Sequence, residues 1–361
     1  MTRLDGVGLR LRTLESIEDA ARWDAFVEQC AEATFFHKAG WKSVIESSFS
    51  QRGHYIYVED DHGAIQGVLP LVRQKTLLFG DALISTPFCV YGGVATENDA
   101  ARTLLEEKAV SLAEAMGVDY LELRNRTDRS DESQHSDEPL RSDWIRKDLY
   151  YSFCKGIDAD PDLNLKAIPR KQRAEVRRGI KNGLQGEVDD DPGRCYDLYS
   201  ESVRNLGTPV FSRRYFYRLQ EVFGSACEPL VISREGEPVS AVLSFYFRDQ
   251  VLPYYGGALF SARRVGAYAF MYWHLMNRAA ERGAHTFDFG RSKRGTGSYD
   301  FKRYFGFEPE PLAYDSYLVR AQEMPEINPL NPKYQLFIRL WKRLPLGVSR
   351  VVGPWLARGL G

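Results

Sequence analysis

Residues that could carry polar chemistry are concentrated in the stretch 283–307. A strand-like end, His285 to Phe289, opens into a glycine-rich basic loop, Gly290 to Gly297, and Lys302 follows among aromatic residues. Loops held by a rigid scaffold can bring hydrogen-bond donors together without burying them unpaired. The stretch therefore predicts a site for a polar or anionic ligand.

A second set of residues suited to anion binding lies between 166 and 181, where seven basic residues stand against one acidic residue. Pro169 can begin a helix, and Arg170, Arg173 and Arg177 then recur at i, i+3 and i+7. They share one face, and guanidinium groups can bind phosphate or carboxylate in a bidentate manner. From spacing alone, an anion-binding row and a solvated basic helix are equally supported.

The elements that must position these residues occur twice in the chain. Tyr55 to Val72 and Leu230 to Phe247 each have the alternation of a β-hairpin, with turn residues in the middle. A helix-length segment follows in each copy and ends at Gly117 or Gly283, and a strand comes next. Both copies also contain a Tyr-Gly-Gly triplet, at 91–93 and 255–257. This order predicts two similar α/β modules with mixed sheets.

The stretch 283–307 resembles the C-terminal region of Fem-type (FemAB-like) acyltransferases, which are double GNAT-fold proteins. The residues that carry the resemblance are Asp288, Gly290, Arg291, Phe301, Lys302 and Gly306. It implies an α/β protein with tandem GNAT-like domains at 1–160 and 166–325, followed by a basic amphipathic helix within 326–361. That tail is similar to the tails of Fem-like proteins associated with exopolysaccharide export.

The implied activity is transfer of an acyl or aminoacyl group to an amine of a peptidoglycan or exopolysaccharide precursor. Such a reaction depends on positioning and on stabilising the oxyanion that develops on the carbonyl. Lys302, between Phe301 and Tyr304, is the candidate for that role; the alternative is a lysine whose stem lies along a strand edge. Asp288 could orient Lys302 or Arg291, accept the amine's proton, or only cap the loop.

The resemblance also implies binding residues. The segment that begins at Ile168 looks like the one that opens the second Fem domain near the acceptor, which favours the anion-binding interpretation of the basic helix. Arg263 and Gly266 partly match the pyrophosphate loop of GNAT proteins, although Tyr268 replaces its final small residue. The remaining candidates for substrate binding are Arg291, Tyr255, Tyr299 and Lys38. We expect no permanently bound cofactor and either acyl-CoA or aminoacyl-tRNA as the donor.

Two other functions remain open. One is a catalytically silent double-GNAT protein that binds a phosphorylated glycan or lipid carrier through the arginine row and needs no reactive lysine. The other is tRNA binding, which the basic helix permits. The lack of a coiled-coil insertion and of a broad positive surface argues against a dedicated tRNA site.

Charge and residue composition do not distinguish between these functions, but they bear on disulfides, metal sites and localisation. The net charge is −1, and the five cysteines are scattered without a Cys-x-x-Cys pair, which favours reduced thiols over a disulfide framework. The six histidines show no pair at ligand spacing, so we expect no metal site. Without an evident signal peptide or membrane-spanning stretch, we expect a cytoplasmic protein.

The last segment, 331–361, has six basic residues and no acidic one. One helical face would hold the apolar residues Leu336, Phe337, Leu340, Trp341 and Leu344. Such a face can complete a protein core or lie on an anionic bilayer at the inner membrane face. We expect docking on the protein, because most amphipathic helices complete a core.

Overall fold

The structure is a computed structural model that describes residues 8–76, 80–126, 143–324 and 332–359, the last from residue 335 onward for side chains. It divides into two compact units. The first comprises 1–149, 311–327 and 358–361, and the second comprises 150–310 and 328–357. No helix in the described part of the chain is long and apolar enough to cross a membrane.

Seventeen strands and eleven helices follow one another along the described chain. They are β1 (Arg10–Thr13), α1 (Ile17–Gln29), α2 (Gly40–Phe49), β2 (Gly53–Glu59), β3 (Ile65–Thr76), β4 (Gly80–Ser85), β5 (Ala95–Thr96), α3 (Asp99–Met116), β6 (Tyr120–Asn125), β7 (Ile145–Lys147), β8 (Tyr150–Ser152), β9 (Cys154–Gly156), α4 (Pro161–Ala167), α5 (Arg170–Lys181), β10 (Gln185–Val188), α6 (Gly193–Leu206), α7 (Arg213–Phe223), β11 (Cys227–Arg234), β12 (Glu237–Phe247), β13 (Gln250–Ala258), α8 (Ala267–Glu281), β14 (Thr286–Asp288), β15 (Ser292–Lys293), α9 (Gly297–Tyr304), β16 (Glu310–Pro311), β17 (Ala313–Leu318), α10 (Pro332–Trp341) and α11 (Leu346–Ala357).

The first unit is built on a mixed sheet of order β1-β2-β3-β4-β6-β17-β7, with β5 beside β3. Strands β4 and β6 are parallel, and α3 connects them. Helix α3 buries Ala101, Leu105, Ala109 and Ala113, which recur every four residues and therefore form one face. It ends at Gly117, whose φ of 58° is the left-handed cap that the sequence predicts.

The second unit repeats this arrangement in a six-stranded sheet of order β10-β11-β12-β13-β14-β9. Strands β11, β12 and β13 are antiparallel, and α8 then leads to β14, which is parallel to β13. Helix α8 is buried on most of its surface, including Phe270, Met271 and Leu275. The predicted α/β fold with two similar modules is thus confirmed.

Two details differ from the sequence-based expectation. The Tyr-Gly-Gly triplets are not equivalent, because residues 255–257 lie inside β13 whereas 91–93 lie in irregular chain after β4. The expected domain boundaries also shift, because β17 pairs with β6 and belongs to the first unit, while residues 150–160 belong to the second. Strands β17 and β6 are far apart in sequence, so no local sequence pattern predicts that they pair.

The C-terminal segment forms two helices, α10 and α11, instead of the expected single one. Helix α11 packs on α6 of the second unit through small residues: Ser349, Gly353 and Ala357 are buried. A Cβ on Gly353 would lie 2.9 Å from both the backbone nitrogen and the carbonyl oxygen of Val210, so only glycine permits this approach. Arg350 adds a hydrogen bond of 2.9 Å to the Ser200 hydroxyl.

Candidate functional site

The candidate site forms where β14 ends and the chain returns as α9. Between them, β15 pairs with β8, so the predicted glycine-rich loop contains a short strand. Helix α9 then begins after Thr296, whose hydroxyl accepts a hydrogen bond from the Tyr299 backbone at 3.4 Å. Lys302 therefore lies on a helix, which presents it inward, and not on a strand edge.

Asp288 shapes the bend at the end of β14. The residue is 2% exposed, and its carboxylate accepts a hydrogen bond from the Gly290 backbone N–H at 2.7 Å. Gly290 has a φ of 65°, in the left-handed region that glycine adopts without strain. Of the roles considered from sequence, Asp288 performs the capping role in this geometry.

Lys302 is tied to this bend by its amino group. Only 8% of the residue is exposed, and Nζ donates to the carbonyl oxygens of Gly290 at 3.1 Å and Arg291 at 3.0 Å. The rings of Phe153 and Phe289 lie 5.2 Å and 5.9 Å from Nζ, close enough for cation–π attraction. Nζ is thus held by two carbonyls and enclosed by aromatic surface.

Burial lowers the pKa of Lys302 from its ordinary value of 10.5 to about 7. The neighbouring Asp288 and Cys154 act in the opposite direction, and Arg291 lowers the pKa further. Near neutral pH both protonation states are populated. Either state can donate to the two carbonyls, which leaves one further N–H in the ammonium form or one lone pair in the amine form for a reacting group.

Cys154 belongs to this site although the sequence did not point to it. It is half-buried and lies opposite Asp288 in the antiparallel pairing of β9 with β14. Only that pairing brings it near Lys302. No motif around Cys154 distinguishes it from the other four cysteines, so the sequence carries no signal that would have found it.

Two other predicted residues lie close to the site. The Arg291 guanidinium lies over the Tyr150 ring at 4.9 Å. The Tyr299 ring on α9 makes edge contacts with Tyr151 at 5.7 Å and Phe153 at 5.3 Å. The site thus collects Asp288, Arg291, Tyr299 and Lys302.

The basic helix α5 joins this group at its first turn. A Cβ on Gly306, just after α9, would lie 2.9 Å from Pro169 Cδ, so the end of α9 packs against the start of α5. Arg170 and Arg177 are exposed, while Arg173 is half-buried and donates to the Lys166 carbonyl at 3.4 Å.

The side chains of α5 leave most of its charge unneutralised. Among the described residues, Arg178 is the cation of this helix that forms an ion pair, with Glu175 at 2.8 Å. Val176 and Gly179 are buried instead and attach the helix to α8. The basic face is therefore held in place by apolar packing on the opposite side.

The predicted pyrophosphate loop is closely covered by that packing. Gly266 has a φ of 76°, and a Cβ there would lie 2.3 Å from the Glu175 carbonyl oxygen and 3.2 Å from the Gly179 nitrogen. The exposed Arg263 guanidinium lies over the Phe260 ring at 4.9 Å. The tight turn thus has a packing role, and a cofactor-binding role for Arg263 and Gly266 stays a prediction.

Tyr255 and Lys38 lie in other surroundings. Tyr255 is 5% exposed, its hydroxyl lies 2.8 Å from that of Tyr215, and Tyr199 and Phe216 surround its ring. This packing gives Tyr255 a core role, and substrate binding gains no support from it. Lys38 belongs to the first unit and forms an ion pair with Glu28.

No group of three or more His, Cys, Asp or Glu residues that could hold a metal ion occurs in the described part of the chain.

Comparison with known proteins gives a family-model match over part of the chain. Residues 170–303, from the start of α5 to the helix that carries Lys302, match the family described as an acetyltransferase (GNAT) domain. A comparison with curated proteins gives no match.

Solved structures show the same fold over almost the whole chain. FemX is similar with a TM-score of 0.67 and 16% identity, over 91% of this chain and 100% of FemX. A tandem GNAT protein from the clavulanic acid biosynthesis pathway has a TM-score of 0.53 and 12% identity, over 88% and 100% of the two chains. L-PGS from Bacillus licheniformis has a TM-score of 0.51 and 14% identity, over 90% and 97%.

Together these findings show a GNAT acetyltransferase domain within a chain that has the FemX fold. The domain match lies in the second unit, at residues 170–303, and the fold of the whole chain is the one that the resemblance to Fem-type proteins implies.

Proposed function

We propose that the chain transfers an acyl or aminoacyl group to an amine on a phosphorylated precursor of the cell envelope, a peptidoglycan or exopolysaccharide intermediate. Lys302 stabilises the oxyanion, Asp288 holds the bend that positions it, and the α5 arginines bind the acceptor's phosphate. Attack by the amine forms the new C–N bond, and the thiol or hydroxyl of the donor leaves.

The observation that carries this proposal is the position of Lys302 Nζ. A cation that is nearly water-free interacts with developing negative charge far more strongly than an exposed one. Its bonds to the Gly290 and Arg291 carbonyls fix its position and leave one N–H for a third oxygen. This arrangement supports catalysis by preorganised charge, with no covalent intermediate on the protein.

The acceptor assignment rests on helix α5. Arg170 and Arg177 are exposed guanidinium groups on a helix whose start packs beside the end of α9. Phosphate groups suit them because each guanidinium can donate two parallel hydrogen bonds. FemX and L-PGS, whose folds this chain shares, are consistent with an envelope precursor as the acceptor.

Two classes of donor are compatible with the fold. The GNAT fold fits acyl-CoA as a donor. However, helix α5 packs against Gly266, where the pyrophosphate of coenzyme A would be expected. We therefore keep aminoacyl-tRNA as a second donor class in the test.

The experiment is a donor screen on the full-length protein. Ligands that co-purify are identified by mass spectrometry, and acyl-CoA and aminoacyl-tRNA pools are then offered together with phosphorylated amino-sugar precursors. We expect transfer by the wild type and its loss in Lys302→Met with acceptor binding retained. Acceptor binding without turnover in the wild type, under every donor, would favour the silent binding protein instead.

A further inference from the structure

The C-terminal helices leave large apolar side chains in water while they bury small ones. In α11, Val348, Val351, Val352 and Trp355 recur at i, i+3, i+4 and i+7, and their exposed fractions run from 41% to 79%. The buried residues of the same helix, Ser349, Gly353 and Ala357, lie on the opposite side. We call the four exposed residues the α11 patch.

Helix α10 also exposes large apolar side chains. Trp341 is 4% exposed, whereas Leu336, Phe337 and Leu340 are 60%, 38% and 57% exposed and form what we call the α10 patch. The expectation that the apolar face docks on the protein is therefore wrong for Leu336 and Leu340. The contacts with the rest of the protein are made by Trp341 and the small residues of α11. The large apolar side chains of the two patches therefore stay exposed to water.

The density of these side chains is unusual for the described surface. That surface has 16 exposed large hydrophobic residues, and seven of them belong to the two patches. Single exposed apolar residues need no explanation, but contiguous ones mark interaction sites. Something other than water is therefore expected to cover this surface.

The charges beside the patches identify the chemistry of that cover. Segment 331–361 contains no acidic residue. Arg339, Lys342 and Arg343 on and just after α10, and Arg358 after α11, are exposed beside the apolar side chains. Helices that carry apolar side chains, several cations and no acidic residue of their own, with an exposed tryptophan, suit the interface of an anionic lipid bilayer.

We propose that α10 and α11 bind the surface of an anionic phospholipid membrane through the α10 and α11 patches. Neither helix spans the bilayer, because 10 and 12 residues are too few for its hydrocarbon core. The apolar side chains enter the region below the head groups, and the arginines and lysines bind the lipid phosphates. This contact concerns location and stands independently of the acyl transfer proposed above.

The test is co-sedimentation of the full-length protein with vesicles. We expect binding to vesicles of phosphatidylglycerol and phosphatidylcholine, about tenfold or more weaker binding to pure phosphatidylcholine, and a decline as salt is raised. Val351→Ser combined with Trp355→Ser should reduce binding to the anionic vesicles by about tenfold or more. The matched control, Ile17→Ser combined with Phe260→Ser, removes two residues that are 86% and 69% exposed elsewhere and should bind like the wild type.

Charge is tested separately because the basic helix α5 could also attract anionic lipid. Arg339→Glu combined with Arg343→Glu should weaken binding by about tenfold or more, whereas Arg214→Glu combined with Arg264→Glu should not. All substituted side chains are exposed, so folding is preserved, and thermal unfolding checks it.

Three results would overturn the proposal. The first is equal binding by the patch variants and their controls. The second is equal affinity for neutral and anionic vesicles. The third is a wild-type dimer that the Val351→Ser, Trp355→Ser variant converts to a monomer without change in vesicle binding, since the patches would then cover each other in a second copy.

Discussion

Lys302 Nζ lies 3.0 Å from the Arg291 carbonyl oxygen, and this bond joins helix α9 to the chain that leaves β14. The bond fixes the direction of a buried amino group at the end of a strand. The same bend also carries the Asp288 cap, whose carboxylate accepts the Gly290 backbone N–H, so the cap and the lysine hold the same short segment of chain.

The first prediction concerns the role of Lys302 in turnover. Lys302→Met should lower kcat by roughly 100-fold or more, since it removes charge stabilisation of the oxyanion, and acceptor affinity should change little. Lys302→Arg should not restore the rate, because a planar guanidinium does not fit a point-charge position between two carbonyls. Steady-state kinetics and thermal unfolding are measured on the same preparations. A stable Lys302→Met protein with normal turnover would exclude the catalytic role.

The second prediction uses the lowered pKa of Lys302. With a folded pKa of about 7 and an ordinary value of 10.5, the unfolded chain holds the proton more tightly between these values. The wild type therefore gains stability as the pH rises from 7 towards 10, since the cost of burying the charge disappears. The stability of Lys302→Met should not depend on pH in this way, because methionine does not titrate. Its stability relative to the wild type should fall by about 3 kcal/mol between roughly pH 6.5 and 9.5, at about 1.4 kcal/mol per pKa unit.

Urea unfolding at both pH values measures this difference. Lys171→Met is the matched control, because Lys171 is exposed on α5 and its loss should show no such trend. The lost hydrogen bonds of Lys302 add an offset that does not change with pH. A constant difference at both pH values would therefore mean that Lys302 stays charged in the folded protein.

The extent to which the sequence predicts this molecule follows from how local each signal is. Pro169 and the arginine spacing predict α5, and Gly117 predicts the end of α3, because caps and helical faces are encoded within a few residues. The pairing of β17 with β6 and the position of Cys154 opposite Asp288 depend on contacts between distant segments. Neither leaves a local pattern.

The third prediction separates the charge of Asp288 from its capping role. Asn at this position still accepts the Gly290 hydrogen bond but removes the charge that raises the pKa of Lys302. Asp288→Asn should therefore shift the alkaline decline of activity to lower pH by about one unit. The pH–rate profile is compared with that of Asp300→Asn on α9, which should resemble the wild type. An unchanged decline in Asp288→Asn would show that Lys302 does not set it.

The fourth prediction tests the anion-binding row on α5. Arg173→Glu and Arg177→Glu should each weaken binding of a phosphorylated acceptor more than Lys171→Glu does, because the first two lie on the proposed binding face. Each lost charge-assisted contact corresponds to roughly 1.5 to 3 kcal/mol. Isothermal titration at fixed ionic strength gives the affinities. Equal losses at all three positions would indicate a diffuse electrostatic effect and no defined site.

The last prediction concerns the turn before α8, where packing and a cofactor role compete as explanations for Gly266. Gly266→Ala should destabilise the protein strongly, because its Cβ would meet the Glu175 carbonyl at 2.3 Å as well as suffer the cost of a positive φ. Gly283→Ala is the matched control: its φ is 85°, but nothing lies within 4 Å of a Cβ there. We expect a loss of about 1 kcal/mol in the control and at least twice that at Gly266. If Gly266→Ala were as stable as the control and instead lost affinity for acyl-CoA, the turn would serve the donor and the packing explanation would be wrong.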